Sequence, residues 1–176
     1  FTPATGFSGT GSFRYTIADG RGGSATASVS ITVNAPPASQ PGLVLALGFN
    51  EAAGALTSDA SGSANHGTIR EAQFVAGKYG NALSFDGVND WVTVADAAAL
   101  DLTSAMTLEA WVRPSDIAGW RTVLMKESAD SAAYELYANE DTNRPSAYFV
   151  AGTTFKGVTG TAALSTAAWT HLATTY

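Results

Sequence analysis

The oxygen-bearing residues of two short stretches are the first candidates for chemistry. Residues 59–65 read DASGSAN and residues 84–91 read SFDGVNDW. Calcium takes six to eight oxygen ligands, and these can be assembled from separate loops. Asp59, Asn65, Asp86 and Asp90 are therefore the candidate metal ligands, with Ca2+ as the cofactor they would hold. An EF-hand is excluded, because counting from Asp59 places Gly fourth instead of sixth and Arg70 at the twelfth position. The competing use of all four residues is turn chemistry, in which Asp and Asn accept hydrogen bonds from nearby backbone amides.

A second chemistry rests on flat rings, which stack on the apolar faces of sugars while polar neighbours bond the hydroxyls. Trp120, between Gly119 and Arg121, is the best surface candidate, followed by Tyr137 and by Trp111, which shares a strand face with Glu109 and Arg113. Packing between sheets is the commoner fate of a strand tryptophan. Glu135 and Glu140 are the nearest approach to the paired carboxylates of a glycosidase, which stand about 5–5.5 Å apart in retaining enzymes. Without a bulge, residues five apart face opposite sides of a strand. His66 and His171 are the only histidines, Cys is absent, and neither a G-x-S-x-G elbow nor a phosphate-binding loop occurs. His171 reads as a half-buried structural residue and His66 as a solvated loop residue. No catalytic residue is assigned.

Strands must position these groups. Phe13, Tyr15 and Ile17 alternate up to an Asp19-Gly20 turn, after which Ala25, Ala27, Val29, Ile31 and Val33 alternate, the pattern of a β-hairpin. Residues 35–41, APPASQP, cannot sustain a sheet ladder and read as a linker. Beyond it, Leu43, Leu45, Leu47 and Phe49 predict one face of a first strand, and residues 79–94 predict two strands joined by a hairpin turn at Asp86-Gly87. Met106, Leu108, Ala110 and Val112 alternate until Pro114, and residues 122–126, 134–138, 146–151 and 169–176 read as further strands. Residues 96–104 leave room for one short helical turn. Short strands separated by Gly, Asn and Asp loops predict a sandwich.

Composition narrows the partners. A net charge of -6 and a pI near 4.7 supply no basic patch for nucleic acid or an anionic membrane. The longest apolar run, residues 43–47, is far short of the ~20 residues that span a bilayer. Disulfides and thiolate metal sites are ruled out by the lack of Cys.

Two resemblances follow from these residues. Phe13-Arg14-Tyr15 leading to Asp19-Gly20-Arg21-Gly22-Gly23, and then Val33-Asn34-Ala35-Pro36, resembles the closing strands of bacterial cadherin-like and immunoglobulin-like repeats. In such repeats a linker Asp often helps to bind calcium, and here that position lacks it. The ordered blocks LVLALGFNEAAGALTSDASGSANHGTI, GKYGNALSFDGVNDWVTV, MTLEAWVRP, GWRTVLMKE and AWTHLATTY resemble the laminin-G-like jelly rolls of the concanavalin A-like lectin/glucanase superfamily. Glucanases of that superfamily carry E-x-D-x-E or E-x-D-x-x-E, whereas Tyr137 stands where the middle Asp would be.

The resemblances imply an all-β chain: an antiparallel jelly-roll β-sandwich over residues 42–176, incomplete at its C-terminus, preceded by the terminal hairpin of an immunoglobulin-like β-sandwich over 1–34. They further imply a non-catalytic, extracellular or cell-surface, bacterial recognition module that binds a glycan or an extracellular protein in adhesion within a larger multidomain protein. A structural spacer is the alternative, and a glycoside hydrolase fragment is third.

Overall fold

The computed structural model of the chain describes residues 9–33, 40–129, 131–152 and 154–176. Residues 35–39, most of the expected linker, therefore lie outside the described residues. Among the described residues the regular structure is antiparallel strand, apart from one 3-10 turn at Ala98–Leu100 within the segment predicted to hold one.

The N-terminal hairpin forms from β1 (Gly9–Ala18) and β2 (Ser24–Val33), with Phe13 opposite Val29, Tyr15 opposite Ala27 and Ile17 opposite Ala25. Its turn is closed by Asp19, whose Oδ1 accepts from the backbone N–H groups of Arg21 and Gly23 at 2.7 and 2.9 Å. Those bonds hold the Asp19 carboxyl below the usual carboxylate range.

The sandwich core lies further along the chain. One layer is β8 (Thr107–Val112) paired with β13 (Thr170–Thr175). The other is a sheet in the order β12 (Thr154–Thr159), β11 (Ser146–Ala151), β10 (Ala132–Asn139), β9 (Arg121–Glu127). Alternation on β10 sends Tyr134, Leu136 and Ala138 inward, where they meet Ala147 of β11, Leu108 of β8, Leu172 of β13 and Met106. Burying a side chain such as Leu136, 3% exposed, contributes about 1.5–3 kcal/mol. The buried Tyr134 hydroxyl donates to the Leu100 carbonyl at 2.9 Å, tying the 3-10 turn to this core.

Two smaller sheets complete the described strands. β3 (Leu56–Thr57), β4 (Gly67–Arg70) and β7 (Trp91–Val94) form one, and β5 (Gln73–Ala76) with β6 (Asn81–Ser84) forms the other. This corrects the hairpin expected at residues 79–94. β6 pairs with β5, Phe74 opposite Leu83, whereas β7 pairs with β4, Ile69 opposite Val92. A tighter reversal supplies β6 with its partner: the Gly77 N–H donates to the Gly80 carbonyl at 2.8 Å, and Gly80 takes φ +72°. β7 instead packs on β4 over Gly67, where an added Cβ would stand 2.8 Å from both Thr57 Cγ2 and Val92 Cγ1.

The strand expected from Leu43 to Phe49 is also absent. Only an isolated bridge joins Leu47 to Asp59, because the Ala46 N–H donates to the Asp59 side chain and Phe49 turns away at φ +51°.

Candidate functional site

The residues alternating with the core on β10 are Glu135, Tyr137 and Asn139, and they share the outer face of the four-stranded sheet with Ser146 and Tyr148 of β11. Register places Ser146 opposite Tyr137 and Tyr148 opposite Glu135. On β12, Gly157 stands opposite Tyr148 and Thr159 opposite Ser146, while Phe155 pairs with Val150. Trp120 immediately precedes β9.

A run of rings results. Trp120 meets Tyr137 edge to face at 5.0 Å between centroids and lies 6.5 Å from Tyr148. Tyr137 and Tyr148 are 6.2 Å apart, and Tyr148 stacks on Phe155 at 5.1 Å with only 13° between planes. Gly157 makes this stacking feasible, since a Cβ there would lie 2.5 Å from Tyr148 Cε1. The ends of the run are open, with Trp120 48% and Phe155 59% exposed. Tyr137 is only 7% exposed and acts as the floor beneath Trp120.

Polar groups lie beneath and beside the rings. The β9–β10 register shifts on both sides of Tyr137, and Glu140, just beyond β10, accepts from the Tyr148 hydroxyl. The strand irregularity thus accompanies a carboxylate that reaches the face Glu135 occupies, where simple alternation assigns the two glutamates to opposite sides. Thr142 Oγ1 and Thr159 Oγ1 also donate to Glu140 Oε1, at 2.9 and 3.2 Å. The Tyr148 hydrogen bond leads in holding the Glu140 carboxyl below its usual range against the opposing effect of burial. The same bond leads in raising the Tyr148 phenol, while burial and then the neighbouring Glu135 carboxylate push the Tyr137 phenol up to about 12.

Two buried atoms here lack partners among the described residues, Asn139 Oδ1 and Ser146 Oγ. Ser146 contributes to lowering the Glu140 pKa, although its Oγ makes no hydrogen bond of acceptable geometry. Asn139 spends its amide on the carbonyls of Gly119 and Glu140, at 2.8 and 3.0 Å, which pins the loop carrying Trp120.

Trp111 belongs to a separate cluster on the β8–β13 sheet. It is 42% exposed, with the Tyr79 ring edge-on at 5.7 Å, the His171 ring at 5.1 Å and Lys78 Nζ over its face at 5.3 Å. His171 is therefore exposed, in contrast to its half-buried expectation, with Nε2 3.6 Å from Glu109 Oε2.

The four candidate calcium ligands occupy two loops, and each carboxylate accepts from the backbone. Asp59 Oδ1 accepts from the N–H groups of Ala46 and Ser61, both at 2.9 Å, and Oδ2 accepts from Ser61 Oγ at 2.7 Å and the Asn65 N–H at 3.0 Å. Burial pushes the Asp59 carboxyl up, but these bonds outweigh it and leave the group below its usual range. Asn65 Nδ2 donates to the Val44 carbonyl at 2.8 Å. His66 Nδ1 accepts the Asp59 N–H at 3.0 Å, so this loop histidine helps to fix the turn. In the second loop the Asp86 N–H donates to Asp90 Oδ2 at 2.7 Å and the Val88 N–H to Asp86 Oδ1 at 2.8 Å. Among the described residues no three His, Cys, Asp or Glu side chains gather as they would around a metal.

The structure therefore unites Trp120 with Tyr137 and leaves Trp111 apart. Sequence reasoning did not select Tyr148 or Phe155. Inward Ala147 and Phe149 were the available signal for an outward Tyr148, but its stacking on Phe155 depends on strand pairing.

Comparison with known families adds to this geometry. Residues 1–32 match a bacterial Ig domain, and residues 86–176, just over half of the chain, match the Laminin_G_3 family of the concanavalin A-like lectin/glucanases superfamily. No curated protein and no solved structure matches the chain. Together the two family matches point to an extracellular or surface-associated module. An antiparallel sandwich in the described fold and a match across its core strands lead to one assignment: the chain belongs to the concanavalin A-like lectin/glucanase superfamily.

Proposed function

We propose that this chain is a non-catalytic extracellular recognition module whose ligand is a glycan, taken on the aromatic outer face of β9–β12. One observation carries the reading: Trp120, Tyr137, Tyr148 and Phe155 form a run of rings along one sheet face, with Trp120 and Phe155 open to solvent. Such rings cover the C–H faces of a sugar while adjoining oxygens take its hydroxyl hydrogens. The laminin-G-like and bacterial Ig matches support a bacterial cell-surface or secreted setting and a role in adhesion. The proposed organisation is an immunoglobulin-like segment at 1–34, a linker at 35–41 and a laminin-G-like domain at 42–176.

Glu135 and Glu140 share the ring-bearing side, which is the observation favouring hydrolysis. A retaining glycosidase needs one carboxyl with a raised pKa to act as acid. Glu140 is held below its usual range by hydroxyl donors, so it supplies a fixed negative acceptor instead of a proton. That excludes Glu140 as the acid only; binding without turnover is favoured because Tyr137 stands where the glucanase motifs carry their middle Asp.

Glycan-array binding by the chain, repeated with Trp120→Ala and Tyr148→Ala, tests the proposal. Saturable binding that weakens roughly five- to tenfold in each variant is the expected result. Absence of any glycan signal would move the assignment to a structural spacer, and release of reducing sugar abolished by Glu135→Gln would move it to a hydrolase.

A further inference from the structure

The charge on the aromatic face has a definite sign. Glu135 lies opposite Tyr148, Glu140 is bonded to the Tyr148 hydroxyl, and no ion pair engages either glutamate among the described residues. Of the cations on the flanking strands, Arg121 is bound to Asp116 and to the Trp120 carbonyl, and Lys156 alternates to the opposite side of β12 from Phe155 and Gly157. Among the described residues Arg144 makes no ion pair with either glutamate.

A second observation marks this face as a place for a ligand. Among the described residues, Ser146, 3% exposed and two residues from Tyr148 on the same side of β11, makes no Oγ hydrogen bond of acceptable geometry, and Asn139, 1% exposed and two residues from Tyr137, has no partner for Oδ1. Buried polar atoms are satisfied in the great majority of cases, so oxygens left over on a ring-lined face suit incoming hydroxyl donors. Hydroxyl donors are what a neutral sugar brings. A uronate or sulfate brings further acceptors and a negative charge that two glutamates repel.

We propose that this face selects uncharged, hydroxyl-rich glycans and rejects uronate-bearing or sulfated ones. The inference rests on the glycan-binding reading above and adds the ligand's chemical class.

Isothermal titration of the chain with four β-1,4-linked probes of equal length tests it: cellohexaose and mannohexaose, against the hexamers of glucuronate and mannuronate. At low ionic strength the neutral member of each pair should bind about tenfold tighter. The ratio should contract to within roughly threefold in ~1 M NaCl, where the screening length is about 3 Å. It should also contract several-fold in Glu135→Gln, which changes the net charge by a single unit. A preference produced by the overall charge of -6 would scarcely move in that variant, and an unchanged ratio would overturn the proposal.

Equal or tighter binding of the uronates, weakened by Tyr148→Ala, would overturn the selectivity and leave the glycan reading standing. No binding of any of the four probes would overturn both.

Discussion

At Asp59 a carboxylate that first suggested a metal ligand is fully used by the protein. Two carboxylate oxygens offer about four lone-pair sites, and Ala46, Ser61 twice and Asn65 fill them. Calcium could enter only by displacing donors that would then lie unpaired in a buried loop. Millimolar calcium should therefore leave the melting temperature unchanged, whereas Asp59→Ala should cost about 2–4 kcal/mol in denaturant unfolding. A calcium-dependent rise of several degrees would show that the loop can rearrange to hold the ion. The sequence made the oxygens visible but not their donors, because the Ala46 amide lies far from Asp59 in the chain and reaches it only when residues 43–49 fail to build a ladder.

Among the elements, β10 carries the heaviest duty. Its inner residues Tyr134, Leu136 and Ala138 hold the sandwich together, while its outer residues Glu135, Tyr137 and Asn139 build the candidate site. β1 and β2, by contrast, pair only with each other among the described residues, and Phe13, Tyr15 and Ile17 remain exposed. An isolated two-stranded hairpin is marginal in water. Amide hydrogen exchange should consequently be slowest in β10 and faster by several orders of magnitude in residues 9–33. Comparable protection in both would mean that the hairpin is covered. The pairing of β1 with β2 and the positions of β8 to β11 were legible from alternation and turn residues. β12 was not, since Lys156 and Gly157 interrupt its apolar pattern. The partners of β6 and β7 also escaped, because each strand is four residues long and pairing across sheets leaves no local mark.

For the molecule as a whole, acid is the condition to which the bonding is most exposed. The carboxyls of Asp19, Glu51, Asp59, Asp96, Asp116 and Glu140 are all held below their usual values. A group whose folded pKa lies below its unfolded one contributes stability in full above the unfolded value, and loses that contribution as pH falls through the folded one. The carboxyls should thus make the melting temperature decline below about pH 4, where unfolded carboxyls take up protons first. A thermal scan series reads this directly, and Glu140→Gln should make the decline shallower. An acid-side increase in stability would contradict the bonding described.

The pairing of β8 with β13 has a consequence in time. Met106 and Tyr176 exchange reciprocal backbone hydrogen bonds at 3.0 and 3.1 Å, extending a ladder whose strands lie far apart in the chain. A ribosome adding roughly 5–20 residues per second delivers β13 several seconds after β8. For that interval Met106 and Leu108 lack Leu172, and the backbone of β8 lacks its ladder partner, so the nascent chain carries an unpaired apolar strand until β13 is made.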